Sequence, residues 1–85
     1  MSAPNREEVL KEISASISRL SNIPIESIVE GQLLVQDLKL DSLGIYELVV
    51  DLEERFGMQI SNEDAERLET VKEAVDYVMS RIKNA

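Results

Sequence analysis

Apolar residues recur at helical spacing in three separate stretches of this chain, and no run of alternating β-branched residues is long enough to form a strand of a sheet. The expected fold is therefore all-α. Val9, Leu10, Ile13, Ile17 and Leu20 share one face, and Pro4 suits a helix start, so a first helix is expected over about residues 5–20, with Pro24 stopping it. A second is expected over 42–56, ended by Gly57, and a short third near 62–67, where Ser61 and Asp64 make an imperfect capping box. Thr70 and Glu73 form a full Thr-x-x-Glu box ahead of the stripe Val71, Ala74, Val75, Val78 and Ile82, which predicts a last helix to about residue 83.

Between the first two helices, residues 21–40 contain Pro24 and Gly31 but also Ile23, Ile25, Ile28, Val29, Leu33, Leu34, Val35, Leu38 and Leu40. A connection this apolar must pack across the bundle. The architecture is then a small four-helix bundle with three longer helices, a short third and a long first connection, forming one domain over residues 1–85. A chain of 85 residues buries only about 60% of its unfolded surface, so the core is modest. Nothing in the pattern calls for a second copy, and a monomer is expected.

Cysteine is absent, which removes disulfides and thiolate metal sites and leaves the cytoplasm as the default compartment. The start "MSAPNREEVLKE" has no basic segment followed by an apolar one, and no stretch approaches the roughly 18 apolar residues of a transmembrane helix. A soluble, unprocessed chain is the expectation. A net charge of −8 disfavours nucleic acid and anionic membranes and favours partners with basic surfaces. The charge is concentrated: residues 41–69 hold nine acids against two bases. Their spacing fits no EF-hand loop, and no metal site is expected.

Projected at about 100° per residue, the second helix turns Ile45, Leu48, Val49, Leu52 and Phe56 to the core. Leu43, Tyr46 and Val50 fall on the opposite side, bordered by Glu47, Asp51, Glu53 and Glu54. Either this strip meets a basic partner, with charges steering and apolar residues supplying the desolvated contact, or the long connection covers it. At the head of the same helix stands "LKLDSLGIYEL", residues 38–48. If Asp41 caps, Ser42 is the first helical residue and its hydroxyl points outward. With no histidine or cysteine in the chain, a Ser-His-Asp or Cys-His nucleophile is excluded. The hydroxyl can instead hold something: a phosphodiester there would meet free N–H groups and about half a positive charge at the helix end, opposed by Asp41 and Glu47.

"LKLDSLGIYELVVDLEERFGMQI" resembles the modification-site helix of the acyl carrier proteins, and "ETVKEAVDYV" near the end also looks like a family segment. The order of helices matches that family over essentially the whole chain. The resemblance implies that Ser42 carries a 4′-phosphopantetheine arm, attached by a phosphopantetheinyl transferase from coenzyme A, with Asp41 completing the motif. The terminal thiol of that arm would hold the acyl chain as a thioester. The carrier would deliver it to loading, elongation or transferase enzymes of fatty acid or related lipid or polyketide biosynthesis, without being an enzyme itself. Leu43, Tyr46, Glu47, Val50, Asp51, Glu53 and Glu54 inherit a partner-facing role. An aminoacyl or peptidyl carrier of the D-alanyl type, and an unmodified interaction adaptor, are the alternatives.

Three departures from the common pattern stand out. Gly44 stands where many fatty-acid carriers have an acid, at a cost of about 1 kcal/mol in helix propensity relative to alanine. Tyr46 replaces a small aliphatic residue, and Lys39-Leu40 stands where a Gly-Ala pair is frequent. "DSLG" is also similar to variants among specialised, polyketide and aminoacyl carriers. The aliphatic interior, with adjustable Leu, Ile, Val and Met packing, could open a sleeve for an acyl chain at a gain of about 0.8 kcal/mol per buried methylene.

Overall fold

The first helix starts on a hydrogen-bonded lock. Asn5 accepts from the Glu8 N–H at 2.9 Å, and the Glu8 carboxylate accepts from the Asn5 N–H at 3.0 Å. In the computed structural model, which describes residues 4–83, this lock opens helix α1, Arg6–Ser21. The ends of the expected domain, residues 1–3 and 84–85, lie outside the described residues. Pro24 does not stop α1 directly. Asn22 does, by adopting the left-handed conformation (φ 63°) that lets its N–H reach the Ser18 carbonyl.

Helix α2 spans Ser42–Phe56, α3 Asn62–Glu66 and α4 Val71–Lys83. Gly57 closes α2 in the left-handed conformation (φ 61°), as its position after Phe56 predicts. The Thr70–Glu73 box forms in both directions, at 2.9 and 3.1 Å. At α3 only the Ser61 half forms, with its hydroxyl accepting from the Asp64 N–H at 3.1 Å. The described residues contain no strand, and the single antiparallel bridge joins Leu33 to Thr70. The protein is an all-α, four-helix bundle.

α1 packs against both α4 and α2, and α3 packs against α2. The core combines Val9, Ile13 and Ile17 of α1, Leu48, Val49 and Leu52 of α2, and Val71, Ala74, Val75 and Val78 of α4. The long connection contributes Ile28, Leu34, Leu38 and Leu40, which crosses the bundle as its composition requires. It includes one short 3-10 turn, Ile25–Ser27, that the sequence pattern did not announce. Its backbone is tied to the start of α4: Leu34 donates to the Glu69 carbonyl, and Val71 and Lys72 donate to those of Gln32 and Glu30. Arg6 adds ion pairs to Glu30 and Asp76, linking α1, the connection and α4. Ile25, Val29 and Val35 are the connection's large apolar residues left exposed.

Candidate attachment site and docking face

Two buried leucines set the position of the α2 start. Leu38 and Leu40 are 0% and 3% exposed, and Leu40 donates its N–H to the Leu34 carbonyl at 3.0 Å. Between them Lys39 is forced into the left-handed region (φ 60°), a conformation that disfavours any side chain by roughly 1–2 kcal/mol. No sequence signal announces this, because lysine has no preference for the conformation and only the two anchored neighbours impose it.

Asp41 follows in extended conformation, and its Oδ1 accepts from the Gly44 N–H at 2.8 Å. It is the helix cap, as the sequence suggests. Its carbonyl accepts the first helical bond, from Ile45 at 2.9 Å. Ser42 is then the first residue of α2 and is exposed. Because Asp41 occupies only the Gly44 N–H, those of Ser42 and Leu43 remain at the positive helix end without a cap. An outward hydroxyl beside free N–H donors fits the phosphodiester end of a phosphopantetheine group.

Ser42 lies on the rim of a cleft of about 860 Å³ between α2, α3 and the connection. Ile45, Val49, Ile60, Ala65 and Leu68 supply its apolar lining, and Asn62 and Glu66 of α3 also line it. The volume lies within the roughly 300–1,000 Å³ typical of small-molecule sites. This is where a chain-holding sleeve is expected, and it explains why Ile45, assigned to the core by periodicity, is only half-buried. Val35 was expected to pack inward. It is 58% exposed and lines the same cleft, and its only sequence signal is membership of the apolar connection.

The residues expected to face partners divide into two groups. Leu43 and Tyr46 are each 63% exposed, and Glu47 and Glu54 are exposed with no ion pair among the described residues. Val50 is half-buried and turns toward the cleft. Asp51 is a correction: its side chain is 19% exposed and is directed at α1, not at solvent. It accepts from the Ser16 hydroxyl, from Arg19 at 3.0 Å and from Arg55 at 3.3 Å, while Arg55 also pairs with Glu12. Burial pushes the Asp51 carboxyl up, but the Ser16 hydroxyl, Arg55 and Arg19 together outweigh it and hold it below its usual range. Glu53 is half-buried and accepts from the Ile60 N–H at 2.8 Å, pinning the α2–α3 loop. Neither role can be read from one helix alone, since Ser16 and Arg19 lie on α1 and Ile60 in the following loop.

No group of three or more potential metal ligands is assembled among the described residues, and no helix there is long and apolar enough to cross a membrane. A bundle without histidine or cysteine, bearing an outward hydroxyl beside a chain-sized cleft, has the form of a scaffold for a tethered group. Comparison with known proteins agrees. Residues 11–78 match the family described as the phosphopantetheine attachment site. The acyl carrier protein of Buchnera aphidicola subsp. Schizaphis graminum is 43% identical over 75 residues, covering 88% of this chain and 95% of that protein. That of Rubrobacter xylanophilus is 40% identical over 75 residues, covering 88% and 93%. A solved structure of the acyl carrier protein from Enterococcus faecalis superposes with a TM-score of 0.78 at 42% identity, covering 91% of this chain and 98% of that one.

The chain belongs to the acyl carrier protein family. Its role is that of an acyl carrier and not a catalyst, and its cofactor is 4′-phosphopantetheine.

Proposed function

We propose that Ser42 is the residue that holds the arm, with a phosphopantetheinyl transferase and coenzyme A as its loading system. The observation that carries this reading is the exposed Ser42 hydroxyl, first in α2 and on the rim of the apolar cleft, with Asp41 engaged as the cap. In loading, Ser42 Oγ forms the new bond to phosphorus, the pyrophosphate bond of coenzyme A breaks, and adenosine 3′,5′-bisphosphate leaves. The serine proton passes to a base of the transferase, since this chain has no histidine to take it. Once bound, the group supplies the thiol on which acyl chains ride as thioesters.

The protein's own residues then do three things. Asp41 holds the helix start, the wall of Ile45, Val49, Ala65 and Leu68 shelters apolar cargo, and Leu43 and Tyr46 present an apolar contact beside Glu47 and Glu54. The apolar wall supports fatty or related acyl chains over small polar amino acids. Enzymes with basic docking surfaces suit the acidic rim, and the cytoplasm is the compartment this reading implies. Intact mass after incubation with coenzyme A and a broad-specificity transferase tests it. The expected gain is one arm of roughly 340 Da on the wild type and none on Ser42→Ala. A wild type that gains nothing, or a variant that gains as much, overturns the assignment.

A further inference from the structure

Gly44 lies two residues beyond Ser42, inside the first turn of α2, where glycine is among the poorest helix formers. Its backbone is ordinary, because Gly57 is the glycine with positive φ among the described residues, so conformational freedom does not explain it. Space does. A Cβ at position 44 would lie 3.3 Å from Leu40 Cδ2 and 3.3 Å from Asp41 Oδ1, with Leu40 Cβ at 3.5 Å. Both neighbours would have to give by a few tenths of an ångström.

Giving way costs each neighbour a contact. Leu40 is 3% exposed, fixed by its N–H bond to Leu34 and wedged behind the left-handed Lys39. The Asp41 Oδ1 atom is the one that caps the helix, at 2.8 Å from the Gly44 nitrogen. Leu40, Asp41 and Ser42 are consecutive and all three line the cleft. The missing side chain of Gly44 is thus the socket into which Leu40 and the Asp41 cap are seated.

We propose that Gly44 is a positioning residue for the modification of Ser42: by leaving room for Leu40 and Asp41, it sets where the Ser42 hydroxyl is offered. This rests on the reading of Ser42 as the attachment site. In the loading step Ser42 Oγ bonds to phosphorus as adenosine 3′,5′-bisphosphate leaves and the serine proton goes to the transferase. A hydroxyl displaced by part of an ångström meets that phosphorus in poorer geometry. Leu40 and Gly44 act as one large-and-small pair, so a side chain restored at 44 is tolerated only if the one at 40 is shortened.

The test uses the full chain, coenzyme A and a broad-specificity transferase, following mass gain over time for wild type, Gly44→Ala, Leu40→Ala and the double variant. Gly44→Ala is expected to lower kcat by about fivefold with KM nearly unchanged, well short of the hundredfold attached to a displacement of a full ångström. The double variant is expected to recover to within about twofold of Leu40→Ala, since the crowding that positioned binding suffers from has been removed. The exchange protection of the residue 44 amide, each variant normalised to the intrinsic rate of its own sequence, reports the cap independently of loading: it falls in Gly44→Ala and returns toward wild type in the double variant. Wild-type kcat for Gly44→Ala, a loss confined to KM, or a double variant no better than Gly44→Ala overturns the proposal. A wild type that gains no mass instead overturns the Ser42 assignment itself, and the proposal with it.

Discussion

α1 and α3 are attached to the same bundle by different means. Val9, Ile13 and Ile17 of α1 are 0% exposed and interlock with α2 and α4. The five residues of α3 include none that is buried. This short helix is held by Ala65 packing at the edge of the core and by the Tyr77 hydroxyl, which donates to Asp64 at 2.8 Å. Burial is non-directional and cooperative across many contacts, whereas a single hydrogen bond contributes about 1 kcal/mol and is made or broken locally. The difference separates a frame that must stay shut from a wall that can move, and the cleft beside Ser42 lies at the movable one.

The largest test of that contrast is Ile17→Ala. Removing most of a fully buried side chain from α1 is expected to lower stability by about 2–5 kcal/mol, a large part of the total for a domain of this size. Urea unfolding should show one shifted transition for the whole bundle. Loss of α3 alone, with the rest of the transition unmoved, would mean that the frame and the wall had been assigned the wrong way round.

Local features of both regions were legible in the sequence. The Thr70–Glu73 box, the Gly57 stop and the Asp41 cap each depend on neighbours within a few residues, and each forms as the pattern suggests. Leu43 and Tyr46, which we propose for docking, are exposed as periodicity predicts. Asp51 was not legible, because its fate is decided by Ser16, 35 positions earlier, which a projection of α2 alone does not contain. Lys39 and Gly44 were opaque for a related reason. Lys39-Leu40 and Gly44 looked like separate departures from the family pattern, but the structure joins Leu40 to Gly44 as a filled and a vacated half of one contact. Helical period shows which way a side chain points, not what waits there.

Asp51 sharpens the comparison from the polar side, since it joins α1 to α2 through Ser16, Arg19 and Arg55. Asp51→Asn is expected to lower stability at neutral pH by roughly 1–2 kcal/mol, the scale of a charge-assisted hydrogen bond. The effect has a defined pH dependence. The folded carboxyl titrates below its ordinary value of 3.8, so its stabilisation is fully present above that value and is lost as pH falls through the lower, folded one. Asp76 is lowered likewise, by Lys72 and Arg6, so wild-type acid sensitivity has more than one source. The difference between wild type and Asp51→Asn isolates Asp51. Urea midpoints should differ at pH 7 and converge as pH falls below 3.8, and a gap of constant size would show that the carboxylate charge is not what joins the helices.

The smallest effect is expected where α3 meets α4. Tyr77→Phe keeps the ring that packs against the core and removes only the hydroxyl, which Asp64 accepts and to which Arg81 donates at 2.8 Å. Burial and the Asp64 bond both raise the Tyr77 pKa, so the hydroxyl is protonated, and able to donate, throughout the neutral range. Its loss should lower global stability by no more than about 0.5–1 kcal/mol. The informative readout is local. Amide hydrogen exchange should quicken at Asp64 and Ala65, whose N–H groups are bonded to Ser61, by several-fold while Ile13, Ile17 and Val75 keep their protection, because the frame does not depend on the Tyr77–Asp64 bond. Equal acceleration in α1 and α3 would show that the cleft wall and the frame open together, leaving no separately movable side for cargo to enter.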